Sequence, residues 1–402
     1  MTIQQSTELA VLGGTPAFEA PLHVGRPNMG DRARFMERVE DLLDRHWLTN
    51  DGPYVHQLEE HIAKLIGVKE CVATCNGTIA LEILTRALDM QGEVIVPSFT
   101  FVATAHALQW QEIKPVFADV DPDHYTLDPA RVEALITPRT TGIIGVHLWG
   151  QPCDTDGLQE VADRHDLPLV YDAAHAFGCS HKGKMIGSFG RAEAFSFHAT
   201  KAVHCFEGGA IVTDDSELAK RMRLMRNFGF DGPDRVIYVG SNGKLSEIHA
   251  AMGLTTIEAL DEITDRNKRN YIAYSKHLAG LPGVELIPHP KGGLFNHHYV
   301  ILRVDAERAG LTRDELSAAL QPENVLARRY FHPGVHHMEP YASLQPMAHL
   351  VLPVTEALSQ EVLAMPTGQQ LDEVGVEKLC GVIRRVLDRA PAVRAALATK
   401  DA

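Results

Sequence analysis

A lysine that follows a short apolar stretch is the first residue in this sequence that could carry out covalent chemistry. Residues 195–201 read FSFHATK and end at Lys201. Partial burial at the end of a strand would lower the pKa of the amine and leave it free to form a Schiff base. Most lysines are solvated surface groups, so Lys201 considered alone would be assigned to the surface.

A carboxylate in a similar position changes that interpretation. Asp172 ends another apolar stretch, residues 169–172, 29 positions before Lys201. A buried carboxylate is costly unless it meets a cation or strong donors, so Asp172 needs a partner. It could instead cap the N-terminus of a following helix. Together, Asp172 and Lys201 suit pyridoxal phosphate (PLP), with the amine for its aldehyde and the carboxylate for its ring nitrogen.

A third motif could hold the phosphate of such a cofactor. Residues 75–78, CNGT, open a predicted helix that extends to residue 89. Gly77 permits close backbone approach, Thr78 offers a hydroxyl, and a helix N-terminus carries partial positive charge. An ordinary helix cap is the alternative interpretation.

These residues need a sheet to bring them together. Short apolar, β-branched stretches alternate with helix-like segments, which predicts a mostly parallel sheet with helices on both faces. In such folds ligands bind beyond the carboxyl ends of the strands. The predicted strands are residues 94–97, 116–120, 143–147, 169–172, 195–197 and 210–213, and the helices between them are 78–89, 102–111, 129–136 and 155–165.

The pattern changes after about residue 253. Residues 254–278 form a long amphipathic stretch that predicts one connecting helix. An antiparallel-type strand at 299–304 and helices at 313–320 and 371–387 follow. We therefore predict a large α/β domain with an N-terminal arm over residues 1–255, and a connecting helix with a small α+β domain over 256–402.

Composition excludes several classes of function. The chain has 402 residues, of which 45% are hydrophobic and 22% charged, values that suit a protein with a sizeable core rather than a disordered one. A net charge of −14 argues against nucleic acid or anionic membranes as partners. No stretch approaches the roughly 18–20 apolar residues of a membrane span, and residues 1–10 lack a signal pattern, so we expect a cytoplasmic protein.

Other common sites lack their motifs. No G-x-G pair, Walker A loop, H-E-x-x-H or G-x-S-x-G occurs, which removes the usual support for NAD, ATP, zinc-protease and serine-hydrolase functions. His332 and His336 have the helical spacing of a metal-binding pair, and His337 follows directly. Pro333 and Gly334 interrupt any helix there, so we predict no metal site.

Several ordered segments resemble one known family. Residues 195–201 with 207–213, and residues 97–104, 146–152 and 172–178, are similar to the DegT/DnrJ-type (StrS-like) sugar aminotransferases. The resemblance runs from about residue 13, through 50–53, to 352–355. It implies an aspartate-aminotransferase-like, fold type I PLP enzyme, a homodimer with active sites shared across the interface. It also implies transfer of an amino group from L-glutamate to a nucleotide-linked keto sugar.

The resemblance also implies roles for individual residues. Lys201 would hold PLP as a Schiff base and Asp172 would pair with the pyridine nitrogen. Phosphate contacts would come from Gly77, Thr78 and Ser196, with Phe101 stacked on the ring, His175 beside the cofactor and Asn242 reaching the phosphate from the partner subunit. The residues expected to contact substrate are Trp149, Lys244, Arg329, Phe331 and His332.

One position departs from the family pattern. The family commonly has an aromatic residue and then arginine after the asparagine, whereas this chain has Gly243 and Lys244. Lysine cannot make the bidentate contact that arginine makes. The contribution of Lys244 to substrate or phosphate binding is therefore left open.

Relatives that catalyse dehydration on this scaffold carry histidine at the Schiff-base position, so Lys201 favours transamination. Among acceptors we favour a dTDP-linked 4-keto-6-deoxyhexose, which would give the 4-amino sugar. A 3-keto sugar or an aminocyclitol precursor fits the same motifs. A PLP-binding regulatory protein without turnover is an alternative from another class, and a generic α/β binding protein is a third.

Overall fold

The computed structural model of the protein describes residues 8–399. The prediction of no signal pattern concerns residues 1–10, of which 1–7 lie outside the described part. Across residues 8–399, no helix combines the length and the apolar character that crossing a membrane requires.

Seven strands form one central sheet, and the others form small sheets around it. The strands are β1 (Leu22–His23), β2 (Glu70–Thr74), β3 (Glu93–Pro97), β4 (Lys114–Ala118), β5 (Thr140–Val146), β6 (Leu169–Asp172), β7 (Ser180–His181), β8 (Lys184–Met185), β9 (Ala192–Ser196), β10 (Gly209–Thr213), β11 (Val284–Leu286), β12 (Val300–Val304), β13 (Val325–Leu326) and β14 (Val362–Met365).

Helices cover the central sheet and build most of the C-terminal unit. The helices are α1 (Arg32–Asp44), α2 (Pro53–Ile66), α3 (Gly77–Ala87), α4 (Ala103–Gln109), α5 (Pro129–Ala134), α6 (Thr155–Arg164), α7 (Ser216–Arg226), α8 (Glu247–Glu258), α9 (Leu260–Leu278), α10 (Ala306–Ala309), α11 (Arg313–Leu320), α12 (Tyr341–Leu344), α13 (Pro353–Glu361), α14 (Glu373–Asp388) and α15 (Ala390–Ala398).

The central sheet has the strand order β2-β10-β9-β6-β5-β3-β4. Neighbouring strands from β9 to β4 are parallel, and β10 is antiparallel to both of its neighbours. The predicted mostly parallel α/β sheet is confirmed. The carboxyl ends of β3, β5, β6 and β9 therefore meet at one edge, where the motifs that follow them converge.

Several elements differ from the sequence-based prediction, including the unpredicted short strands β1, β7, β8, β11, β13 and β14. Strand β2 was not predicted, although four of its five residues are buried. The predicted helix over 254–278 is divided, because α8 ends at Glu258 and α9 begins at Leu260. The C-cap Ala259, with ψ of 6°, separates the two helices.

The second unit has its own core, which also includes the N-terminal arm. Leu9, Val11 and Leu22 pack in the same apolar cluster as residues of α9, α11 and α14. Strand β1 pairs in parallel with β13. The predicted boundaries counted the arm with the large domain, whereas the structure packs its apolar residues against the C-terminal unit.

One buried carboxylate joins the sheet to the C-terminal part of the chain. Asp119 follows β4, is 2% exposed, and accepts hydrogen bonds from the backbone N–H groups of Val354 (2.9 Å) and Thr355 (2.9 Å). The Thr355 hydroxyl donates a third bond of 2.8 Å. These donors lie in the first turn of α13, where backbone N–H groups lack partners within the helix. Asp119 thus caps α13 from another element and positions its first turn.

We expect Asp119→Ala to destabilise the protein by about 2 kcal/mol or more, because it leaves buried donors without an acceptor. Thermal unfolding of the variant would show a lower Tm than that of the parent. Asp123→Ala, at an exposed position a few residues away, is the matched control and should leave the Tm nearly unchanged. Equal shifts in the two variants would contradict the capping role.

Candidate active site

A cavity of about 630 Å³ opens at the carboxyl edge of the central sheet. Its wall combines residues that follow the strands with residues from the C-terminal unit. From the sheet edge come Asn76, Gly77, Thr78, Thr100, Phe101, Asp172, His175, Ser196 and Lys201, and from the C-terminal unit come Tyr299, Arg328, Tyr330 and Phe331.

Lys201 lies in the turn after β9 and points into this cavity. Its Nζ is 3.4 Å from the Tyr299 hydroxyl oxygen. Burial lowers the pKa of Lys201 from its ordinary value of 10.5 to about 8, while the charge of Asp172 acts in the opposite direction. A substantial fraction of this amine is therefore neutral near physiological pH, as a nucleophilic amine requires.

Asp172 is the last residue of β6, at the floor of the cavity, and is 6% exposed. Its carboxylate accepts hydrogen bonds from the Thr104 hydroxyl (2.8 Å) and the Ala174 N–H (3.0 Å). Burial raises the pKa of Asp172, and these two donors and Lys201 counteract that rise. A turn rather than a helix follows Asp172, so the alternative role as a helix N-cap is excluded.

The residues predicted to hold a phosphate lie together at the start of α3. Helix α3 begins at Gly77, and Asn76 caps it through a bond of 2.8 Å from the Ile79 N–H to its side chain. A Cβ on Gly77 would lie 2.8 Å from the Cβ of Ser196, so any larger residue would displace Ser196. The hydroxyls of Thr78 and Ser196 therefore border a helix N-terminus, an arrangement that suits a phosphate.

Aromatic rings form another side of the cavity. The ring of His175 stacks on Phe331, with centroids 5.9 Å apart and an interplanar angle of 7°, and contacts Tyr299 at 4.4 Å. Burial keeps the pKa of His175 well below its usual value, so this ring is neutral. Its Nδ1 accepts a hydrogen bond from the backbone N–H of Trp149. Phe101 is 58% exposed at the cavity mouth, an unusual exposure for a phenylalanine.

Outside the cavity wall lie four of the five predicted substrate contacts, Trp149, Lys244, Arg329 and His332. Trp149 is 1% exposed and packs against Phe99 and Tyr125 in the core, so its indole does not line the cavity. Arg329 pairs with Asp314 at 3.3 Å, outside the cavity. The imidazole of His332 lies beside Ser359, to whose carbonyl oxygen its Nδ1 donates at 3.3 Å. Phe331 lines the cavity as expected.

Arg328 occupies the position that the sequence assigned to its neighbour. Its backbone pairs with that of Ala364, and its guanidinium lies over the Tyr330 ring at 5.6 Å. Neighbouring side chains of an extended segment point in opposite directions. Arg328 therefore reaches the cavity and Arg329 does not.

Asn242 and Lys244 do not line the cavity of their own chain. Asn242 is exposed and forms an isolated bridge with Asn227. The Lys244 ammonium donates to the Asn227 side chain at 3.0 Å and lies over the Phe228 ring at 4.7 Å. Both residues therefore lie in a segment outside the cavity wall of their own chain.

A family model described as "DegT/DnrJ/EryC1/StrS aminotransferase family" matches residues 30–384. The chain belongs to this family. The match covers most of the chain, including every residue of the cavity wall named above, and the resemblance seen in the sequence motifs is confirmed. Members of the family are PLP-dependent aminotransferases, so the protein is an enzyme of this class.

Two relatives and one solved structure are similar to nearly the whole chain. The chain is 34% identical to a dTDP-4-amino-4,6-dideoxy-D-glucose transaminase of Shigella dysenteriae, over 92% of this chain and 100% of the relative. It is 36% identical to a GDP-perosamine synthase of Caulobacter vibrioides, over 91% and 98% of the two chains. The solved structure of DesI in the presence of its TDP-sugar product is 51% identical, with a TM-score of 0.93 and coverage of 97% and 98%.

The residues present fit the cofactor of this family. A partly neutral lysine, a buried carboxylate and a helix N-terminus with two hydroxyls face one cavity. Sequence reasoning missed Thr104, Tyr299 and Arg328. Thr104 ends the recognised segment 97–104 and Tyr299 begins the predicted strand 299–304, so both lay inside singled-out stretches. Their pairing with Asp172 and Lys201 had no signal in the sequence.

The pKa of Lys201 gives a pH prediction. In cofactor-stripped protein, the rate at which PLP reacts with Lys201 should rise with pH through a midpoint near 8, because only the neutral amine attacks. Asp172→Asn removes a negative charge that raises this pKa, so the midpoint should move to lower pH. Borohydride reduction at each pH, followed by mass spectrometry of the Lys201 peptide, measures the rate. The exposed Asp163→Asn is the control, and an unchanged midpoint in Asp172→Asn would contradict the coupling.

Proposed function

We propose that this protein binds PLP in the cavity at Lys201 and transfers an amino group from L-glutamate to C4 of a dTDP-linked 4-keto-6-deoxyhexose. The observation that carries the proposal is the shared position of Lys201 and Asp172 in one cavity, with the Lys201 pKa near 8. When bound, PLP supplies an aldehyde for amine exchange and a ring that delocalises negative charge.

Lys201 would have two tasks. Its neutral amine would hold the cofactor between turnovers, and once released it would carry the proton between the donor α-carbon and the C4′ atom of the cofactor. Tyr299 lies 3.4 Å from Nζ and would keep the released amine oriented. An amine whose pKa is near the working pH both accepts and donates protons readily.

Asp172 would face the pyridine nitrogen and keep it protonated. The bonds from Thr104 and Ala174 fix the carboxylate in one orientation before any ligand enters. Such fixed charges stabilise developing charge without reorganisation during the reaction. Phe101 and His175, both in the cavity wall, would border the two faces of the ring.

The acceptor assignment is supported by the relatives. A relative covered over its full length is a dTDP-4-amino-4,6-dideoxy-D-glucose transaminase, and the structure that is 51% identical was determined in the presence of its TDP-sugar product. The acceptor and L-glutamate are both anions. Among the described residues, the cavity wall contains one arginine, Arg328, and one lysine, Lys201. Because Lys201 would hold the cofactor, Arg328 is the candidate to bind an anionic group of the donor or the acceptor.

A homodimer with shared active sites is part of this proposal. The segment that carries Asn242 exposes several large apolar side chains, which a second copy of the chain would cover. Within the described residues these include Phe228 (46%), Phe230 (38%), Val236 (57%), Ile237 (44%) and Val239 (77%). Asn242, which does not line its own cavity, would then reach the cofactor phosphate of the partner subunit.

The acceptor is tested by product analysis. Purified protein with PLP, L-glutamate and dTDP-4-keto-6-deoxyglucose should form the 4-amino sugar nucleotide, identified by mass spectrometry and by NMR of the aminated carbon. Lys201→Ala should lower turnover by at least about 1,000-fold and abolish the visible absorbance of bound cofactor. The exposed Lys64→Ala is the matched control. Amination only of a 3-keto sugar, a UDP sugar or a cyclitol ketone would replace the proposed acceptor.

The shared site is tested by mixing two damaged chains. Asn242→Ala should weaken cofactor binding by roughly tenfold, the loss of one hydrogen bond to a charged group. At limiting PLP, a mixed dimer of Lys201→Ala and Asn242→Ala subunits has one intact site if Asn242 acts across the interface. Activity of the mixture should then exceed that of either parent. No gain after verified subunit exchange would place Asn242 outside the partner's site.

A further inference from the structure

Three side chains outside the cavity converge on one point. The Nε2 atom of His336 lies 2.5 Å from the Oε1 atom of Glu356, and the Nε2 atom of His337 lies 2.7 Å from the same oxygen. All three of these atoms lie within 4.8 Å of one another. His336, His337 and Glu356 are called the His–Glu cluster below.

Separate elements hold the cluster in place. The two histidines share one short turn, Val335–His337, and Glu356 lies in the first turn of α13. The backbone N–H of Val335 donates to the Ser98 carbonyl oxygen at 3.1 Å, which attaches the histidine turn to the end of β3. Asp119 caps α13, as described above. Both parts of the cluster are therefore anchored to the central sheet.

The outer contacts of His336 are those of a metal-binding histidine. Its Nδ1 lies 2.6 Å from the hydroxyl oxygen of Ser98, and its side chain is 1% exposed. Histidines that bind metals commonly donate the proton of their second ring nitrogen to an oxygen, which fixes the ring and frees the first nitrogen. In this structure the Nε2 of His336 donates to the Glu356 carboxylate. When an ion replaces that contact, the imidazole proton would lie on Nδ1, where the Ser98 hydroxyl oxygen would accept it.

The other members of the cluster are partly open to solvent, from which an ion and its water ligands would enter. The side chains of His337 and Glu356 are 42% and 35% exposed. His349 stacks near His337, with centroids 6.5 Å apart, and its Nδ1 donates to the Pro346 carbonyl oxygen at 3.1 Å. That bond leaves the Nε2 of His349 as an acceptor on the same surface, near the cluster but not one of its three converging donors.

We propose that His336, His337 and Glu356 form a binding site for a divalent transition metal ion, with Zn²⁺ as the reference ion. Two imidazole nitrogens and one carboxylate are the donors that zinc, nickel and copper prefer, whereas calcium and magnesium favour oxygen alone. The sequence disfavoured a metal here because residues 333–334 break the helix. The structure supplies the third ligand from α13 instead.

The site would stabilise one wall of the cavity. The segment that carries Arg328, Tyr330 and Phe331 leads directly into the histidine turn, and Ser98 precedes the segment that carries Phe101. A bound ion would tie α13 to this turn beside the sheet. An ion that binds only the folded protein raises its stability by mass action, so we expect a higher Tm with Zn²⁺.

The experiment titrates Zn²⁺ into cofactor-loaded, chelator-treated protein by isothermal titration calorimetry. We expect one ion per chain, and we expect His337→Ala and Glu356→Gln each to weaken binding at least tenfold. His124→Ala is the matched control, because His124 is an exposed histidine beside a single carboxylate, Asp121, at 2.9 Å. That variant should bind Zn²⁺ like the parent.

A second readout separates metal binding from folding defects. Co²⁺ in the parent should give visible d–d absorption bands that the two cluster variants lose, while their bound-cofactor absorbance is retained. Failure of the parent to bind one equivalent, or parental affinity in both cluster variants, would overturn the site. The cluster would then be a hydrogen-bonded clasp of two imidazoles on one carboxylate. If the two cluster variants also lost their bound-cofactor absorbance, their weaker metal binding would be a consequence of a damaged cavity, which would contradict a separate metal site.

Discussion

The cavity depends on keeping a lysine amine and a carboxylate in one poorly solvated space without a direct ion pair. Burial acts on both groups in the direction of neutrality, lowering the pKa of Lys201 and raising that of Asp172. Their mutual attraction acts in the opposite direction. The lysine therefore has a pKa of about 8 while the carboxylate is held by two fixed donors. This balance is what an enzyme of this family needs before any cofactor enters.

Anion binding in this chain depends on local geometry, because the net charge of −14 opposes it at long range. The structure meets that requirement with two parts of the cavity wall. The α3 N-terminus with Thr78 and Ser196 offers donors to a phosphate. Arg328 supplies a positive charge from the C-terminal unit. Both features act over a short range, so the attraction of anions is confined to the site.

The second wall of the cavity comes from residues far along the chain, and buried contacts hold it there. One apolar cluster joins Phe99, Val146 and Trp149 of the large unit to Tyr299 and Phe331. Trp149 does not reach the cavity. It supports the cavity wall through this packing and through the hydrogen bond from its backbone N–H to His175. Asp119 and Ser98 attach α13 and the histidine turn to the same sheet. The cavity and the His–Glu cluster therefore share one scaffold.

The sequence by itself determined the sheet, the family and the residues that begin or end elements, because strand and helix periodicity and short motifs are local properties. Lys201, Asp172 and Gly77 were identifiable because each marks the end of a strand or the start of a helix. Which of Arg328 and Arg329 faces the cavity was decided by pairing with Ala364, since a shift of one residue reverses the face.

Only the tertiary structure brought Thr104 to Asp172, Tyr299 to Lys201 and Glu356 to the two histidines. These contacts join residues from 19 to 98 positions apart. They arise from packing of separate elements, which no local pattern encodes, and the same packing placed Trp149 in the core.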